Sequence, residues 1–335
     1  MPAAGRRTRT DPTASADKTA TPAPTRAELG KAHRLGWART PRDELRTRVS
    51  QCAATAGDAD QFLAELTAEG LDPRTVRNPA GRVVGYTVAL PGDRTANGTG
   101  VRYAGRTLAA DLSWRKLAAR WAGTPPVTPL PRTNHGRVAP SERHNTLSEA
   151  ASAVDRAATF IRNGTEQDVD GIAHATGEIL AALSRRREGH DPGSLTELTR
   201  RYDRAARTPH QVLPARSGLV AAELRHAARQ LGAIGILTGR GQERLATAAL
   251  LLALAGLVAE IAAWQQLRDR AHQAAAAQAT ARQLPELART AAGRRPATGR
   301  PPPSVTLPMG ITATASHQAR RPARYEPAPP AARQH

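Results

Sequence analysis

The sequence predicts a mainly α-helical protein. It reads as a small N-terminal α+β module followed by an Ala/Leu-rich helical bundle or coiled coil, with disordered basic ends. Three observations predict this. Aromatic residues make up 3% of the 335 residues against 40% hydrophobic overall. A core poor in rings must be filled by Ala, Leu and Val, which suits packed helices better than sheets. Leu250, Leu254, Leu257, Ile261 and Trp264 recur at intervals of four and three, the spacing of a helical seam. Near residues 83–90 the pattern changes to period two, the mark of a strand.

Residues 1–24 are rich in Ala, Thr, Pro and charge without periodicity, so they are predicted to be a disordered tail. The module follows at 25–122. Its first helix is expected over Arg26–Trp37 and its second over Pro41–Ala54. The second has Thr40 as N-cap, Pro41 at the first helical position, and Asp43 and Glu44 in the opening turn, all helix-start signals. A third, Asp58–Glu69, places Phe62, Leu63 and Leu66 on one face and stops at Gly70. A turn at Pro79-Ala80-Gly81 leads into a strand in which Val84, Tyr86, Val88 and Leu90 alternate with Val83, Gly85, Thr87 and Ala89. The loop Pro91–Gly100 connects it to a short partner strand, Val101–Tyr103. Ser113 then caps a last helix carrying Trp114, Leu117, Ala118 and Trp121.

Residues 123–145 form a Pro-rich linker and an expected domain boundary. The helical domain spans 146–291, with helices at Thr146–Asn163, Glu166–Glu188, Gly193–Arg207, Arg216–Gly239 and Gln242–Leu284. Gly239-Arg240-Gly241 is the turn before the last of these, and Pro285 should end or kink it. The remainder, 292–335, is Arg- and Pro-rich and reads as a flexible basic tail.

Basic residues outnumber acidic ones 48 to 29, giving a formal charge of +19. A GC-rich genome explains why Arg replaces Lys, which occurs only at 18, 31 and 116. It does not explain the excess of positive charge, which favours a polyanionic partner. Cys52 is the only cysteine, so no intrachain disulfide can form and a reducing cytoplasm is expected. The N-terminal residues lack an apolar h-region and do not read as a secretory signal.

One stretch is more specific. Phe62, Leu66 and Gly70 form an F-x-x-x-L helix with its terminating glycine. Gly81, Gly85 and Tyr86 form a G-x-x-x-G-Y strand. Leu108, Ala109, Asp111, Leu112, Ser113, Lys116, Leu117, Arg120 and Trp121 then spell L-A-x-D-L-S-x-x-K-L-x-x-R-W. Residues 60–121 thereby resemble the small domain that follows the nuclease in relaxases and mobilisation proteins of actinobacterial plasmids and integrative elements. The resemblance implies a role in conjugative DNA transfer. In that family the upstream nuclease nicks the transfer origin and stays attached to the strand.

The nuclease motifs themselves are absent. A relaxase needs a tyrosine nucleophile and a histidine cluster around a divalent metal. The histidines stand at 33, 135, 144, 174, 190, 210, 226, 272, 317 and 335, with no pair two or four residues apart. The tyrosines are Tyr86, Tyr103, Tyr202 and Tyr325, and the first two lie in expected strands. No catalytic residue, metal site or cofactor is therefore predicted. Asn97-Gly98-Thr99-Gly100 lacks the Gly-Lys-[Ser/Thr] ending of a phosphate-cradling loop.

The module is dense in cations. Arg74, Arg77, Arg82, Arg102, Arg106, Arg115, Lys116 and Arg120 are the candidate DNA-binding residues, with Arg94 beside them. Guanidinium groups can bond two phosphate oxygens at once, although most surface arginines are simply solvated. The seam Leu250, Leu254, Leu257, Ile261, Trp264 is a candidate for docking a partner helix or a second copy. The apolar run from Leu245 is borderline for a membrane span, and Glu260 and the alanines favour a buried bundle helix. The combined expectation is a mobilisation or relaxase-accessory protein, not an enzyme. It would bind DNA near the origin through the module and meet the relaxase or transfer machinery through its helices. A divergent relaxase and a structural, scaffolding or membrane-associated helical protein are the alternatives.

Overall fold

The computed structural model describes residues 24–127, 130–133, 137–164, 168–189, 191–206 and 218–293. The two predicted tails, apart from residues 24, 292 and 293, lie outside them, as do Tyr325 and the histidines at 135, 190, 210, 317 and 335. Among the described residues the fold is mainly α, with one small three-stranded antiparallel sheet near the N-terminus.

The module opens with α1 (Arg26–Arg34), which starts in a capping box between Thr25 and Glu28. In α2 (Pro41–Thr55) the Thr40 side chain accepts a hydrogen bond from the Asp43 amide and Pro41 occupies the first position. Asp58 caps α3 (Ala59–Ala68) in the same way. Gly70, at φ 72, then turns the chain, a backbone conformation that glycine adopts without a steric penalty.

A strand follows that the sequence reading did not anticipate: β1 (Asp72–Arg77). Its sequence DPRTVR offers one apolar residue and a proline, hence no alternation. It is an edge strand, where proline and exposed polar groups are tolerated. It pairs with β2 (Val83–Arg94), which runs beyond the expected end at Leu90 through Pro91 and Gly92. β2 pairs in turn with β3 (Gly100–Ala104), in the order β1-β2-β3. A short helix, α4 (Gly105–Leu108), and a 3-10 turn at Ala110–Leu112 lead into α5 (Trp114–Ala122). Ser113 stands at the N-cap of α5 as expected, but its side chain makes no capping hydrogen bond.

The helical half comprises α6 (Pro140–Arg162), α7 (Val169–Glu188), α8 (Ser194–Ala206), α9 (Leu219–Ala233), α10 (Gly241–Leu267) and α11 (Ala271–Ala291). Helix α6 starts six residues inside the expected linker, with Pro140 at its first position and Glu142 in its first turn. The single long helix expected over Gln242–Leu284 is two helices. The chain breaks at Asp269, whose φ is 55, and Pro285 lies inside α11 without ending it. Leu284 and Ala288, on either side of that proline, are buried in the bundle core. Tertiary burial thus outweighs the local cost of a mid-helix proline.

Two apolar cores result. One lies in the module and is centred on Phe62, Leu66, Tyr86, Leu117 and Trp121, with the Phe62 and Tyr86 rings edge-on at 5.2 Å. The other fills the bundle around α7, which is buried along almost its whole length. They are not independent. Helix α2 contributes Leu45, Val49 and Cys52 to the module core, while Gln51 on the same helix donates to the Ser184 hydroxyl of α7 at 3.0 Å. Gly232 of α9 packs so closely on α2 that a Cβ there would lie 2.6 Å from that of Thr55. The Pro-rich segment therefore does not separate two free-standing bodies.

Candidate nucleic-acid interface

The register of the sheet sorts its cations. Arg74 opposes Thr87, Val76 opposes Gly85, Asp72 opposes Ala89, and Ala89 opposes Arg102. Directly opposed residues share a face. One face carries Tyr86, Val88 and Tyr103 into the module core. The outer face carries Asp72, Arg74, Val76, Thr87 and Arg102. Arg74 is 70% exposed. Arg102 is held flat, donating to the Thr87 hydroxyl at 3.1 Å and to the Asp72 carbonyl at 2.7 Å while pairing with the Asp72 carboxylate.

The β1–β2 turn closes through hydrogen bonds from the Asn78 amide to the Arg82 carbonyl and from the Gly81 amide to the Asn78 carbonyl. Arg77 donates to the Gly81 carbonyl at 2.8 Å, which fixes its guanidinium beside the turn. At the opposite end, Arg94 donates to Gly98 in the same manner at 2.9 Å. Asp93 beside it is buried and paired with Lys31. Arg82 is exposed.

The predicted cations do not all join this surface. Helix α5 packs against the inner side of the sheet, with the Trp114 ring 6.1 Å from that of Tyr86. Arg115 and Lys116 of α5 are thus on the other side of the module. Arg106 is exposed on α4. Arg120 is a correction: its side chain is 11% exposed and donates to the Glu178 carboxylate at 2.5 Å. A guanidinium committed to a buried carboxylate is not free to meet phosphate.

The partner-helix seam is a second correction. Leu250, Leu254, Leu257 and Ile261 are fully buried in the chain's own bundle, with Trp264 partly buried against it. Their periodicity is that of an intramolecular helix seam. The surface of α10 instead exposes Leu245 and Leu252. By length and composition α10 could cross a membrane, with a mean hydropathy of 2.2 in its most apolar window, of which 56% is buried inside the fold.

The arrangement missed by sequence reasoning is a charged lock between the two cores. His174 of α7 lies between Asp111, 3.2 Å from its Nε2, and Glu178, 3.1 Å from its Nδ1. Burial alone would lower the histidine's pKa, but the hydrogen bonds and charges of Asp111 and Glu178 outweigh it and the pKa is raised. Burial opposes ionisation of Glu178 too, yet Arg120, His174 and Arg225 hold its carboxyl well below the usual carboxylate range. Nearby, Arg185 pairs with Glu65 and Glu69 of the module. Arg229 reaches the Thr124 carbonyl at 3.1 Å, and burial lowers its pKa to about 10. A cavity of about 30 Å³ lined by Asp111, Arg120, His174 and Glu178 borders the lock, space on the scale of a water molecule. A partial signal was present: Asp111 and Arg120 are two of the three charged residues, with Lys116, of the motif that carries the resemblance. Their partners lie more than fifty residues away and no local pattern points to them.

Among the described residues, the hydroxyls of Tyr86, Tyr103 and Tyr202 are engaged in structural bonds. Tyr86 donates to the Leu112 carbonyl at 2.9 Å and Tyr202 to the Ala173 carbonyl at 3.0 Å, and burial pushes both phenols up. The Tyr103 hydroxyl lies 3.3 Å from Glu28. Among the described residues no group of three or more His, Cys, Asp or Glu could hold a metal ion. Fold and surface together define a mainly helical protein bearing a guanidinium-edged α+β module. No family model, curated protein or solved structure matches the chain.

Proposed function

We propose that the protein is a non-catalytic, cytoplasmic accessory factor of conjugative DNA transfer. It binds DNA through its α+β module and meets the relaxase, the transfer machinery or another copy through its helices. The conjugative setting rests on the resemblance of residues 60–121. The DNA partner rests on one observation: the exposed Arg77 and Arg82 at the sheet's turn, and Arg106 and Arg115 on the helical side, have no acidic partner among the described residues, in a chain of charge +19. Cations left without counterions on a folded surface gain by displacing the ions condensed on a phosphate backbone.

A purely structural helical protein is the second reading, and the division of the cations between two sides of the module favours it. The test is incubation of the full chain with supercoiled plasmid carrying the transfer origin, in Mg²⁺ or Mn²⁺, with one half run on a native gel to read retardation and the other under denaturing conditions to read nicking and covalent attachment. The accessory reading expects retarded plasmid without nicking. A nick with covalently attached protein would make the chain a relaxase, and neither retardation nor nicking at low salt would favour the structural reading.

A further inference from the structure

We propose that the outer face of the sheet, rather than the helical side of the module, is the surface that meets nucleic acid, and that its partner is duplex rather than single-stranded DNA. The inference rests on the DNA-binding reading above. Register puts Arg74 and Arg102 on one open face, and Arg77 and Arg82 flank the hairpin turn at its end. Asp72 is the one acidic residue among them; it pairs with Arg102 and, at 3.6 Å, with Arg74, so four guanidiniums stand against one carboxylate. The face is thus complementary in charge to a phosphate backbone.

Two of these guanidiniums are already oriented, Arg102 by Thr87 and Asp72 and Arg77 by the Gly81 carbonyl. A side chain ordered before binding loses less conformational freedom on binding. The major groove of B-DNA admits a two-stranded β-ribbon, and β1–β2, with β1 at the edge of the three-stranded sheet, presents a hairpin whose turn end could enter it. In this arrangement Arg74 faces the groove and Arg77 and Arg82 reach the flanking phosphates, while Arg102, on β3 and bound to Asp72, adds positive charge behind them.

The choice of duplex follows from where the rings are. Sequence-tolerant binding of single strands relies on aromatic side chains on which bases stack. Tyr86 and Tyr103 point into the module core from the inner face, and the outer face carries no ring. It can hold a regular backbone but offers nothing for unstacked bases.

The test is fluorescence anisotropy of the full-length chain with a labelled mixed-sequence duplex and with one of its strands. The Arg74→Ala/Arg77→Ala/Arg82→Ala variant is compared with Arg115→Ala/Lys116→Ala, with thermal melting to check the fold. The sheet variant should lose about tenfold or more in duplex affinity at about 0.1 M salt, and the helix variant under about twofold. Should the triple variant fold poorly, Arg74→Glu alone, at a largely exposed position, should still weaken duplex binding. The inference is overturned if the helix variant carries the loss, if neither variant weakens binding, or if the single strand binds more tightly. Wild-type protein that binds neither probe would remove the DNA reading itself, a separate result.

Discussion

His174 shows how much a single residue can carry in this fold. It sits on α7 of the bundle and bonds Asp111 of the module, so its protonation state bears on how the two cores are held together. Its pKa is raised above the ordinary 6.5. The stability this contributes is therefore fully present below the unfolded value and lost as pH rises through the folded one. Denaturant midpoints should fall as pH is raised above about 6.5, and His174→Gln should remove most of that dependence. Equal pH dependence in both proteins would show that the lock is not what titrates. Asp111 and Arg120 were legible as residues set apart by their motif, yet their chemistry was not. Charge near a sheet suggested phosphate, whereas Arg120 is taken by Glu178. Gly105 was not singled out by sequence at all. A Cβ there would lie 2.3 Å from the Leu112 carbonyl oxygen and 2.4 Å from the Tyr86 hydroxyl, breaking the bond between those two groups.

At the scale of elements, legibility tracked local signals. Helix α2 begins where Thr40, Pro41 and the acidic first turn say it should. The edge strand β1 was invisible because its pairing with β2, and not its own composition, makes it a strand. Helix α10 gave a correct period with the wrong partner: the seam meets the chain's own helices. That assignment is testable by a pair of substitutions on one helix. Leu254, fully buried, should cost about 2–5 kcal/mol when changed to Ala. Leu252, 53% exposed, should cost under about 1 kcal/mol. Chemical unfolding measures both, and a larger loss at Leu252 would mean that its face is covered in solution. The break at Asp269 and the continuation through Pro285 reverse the expected order of helix breakers, because burial of Leu284 and Ala288 holds α11 together.

For the whole molecule, the decisive feature is that two apolar cores are joined by a polar seam. Composition and periodicity located each core, since those are local properties. The seam depends on pairs such as Arg185 with Glu65 and Glu69, which only the fold brings together. Removing one member of such a set leaves buried charge uncompensated. Arg185→Ala should therefore cost about 3–5 kcal/mol, and the wild-type chain should unfold in one transition by both circular dichroism and tryptophan fluorescence. Two separated transitions would mean that the cores are energetically independent. Cutting the chain near residue 122 would expose this seam, so DNA binding is better located by surface substitutions in the intact protein.

The central claim, that a folded cationic surface on this protein holds duplex DNA, is tested most directly by a salt titration of duplex affinity with the full chain. Binding should weaken linearly in a plot of log affinity against log salt, with duplex favoured over single strand at every point. Affinity that is absent at low salt, or that does not change with salt, would contradict it.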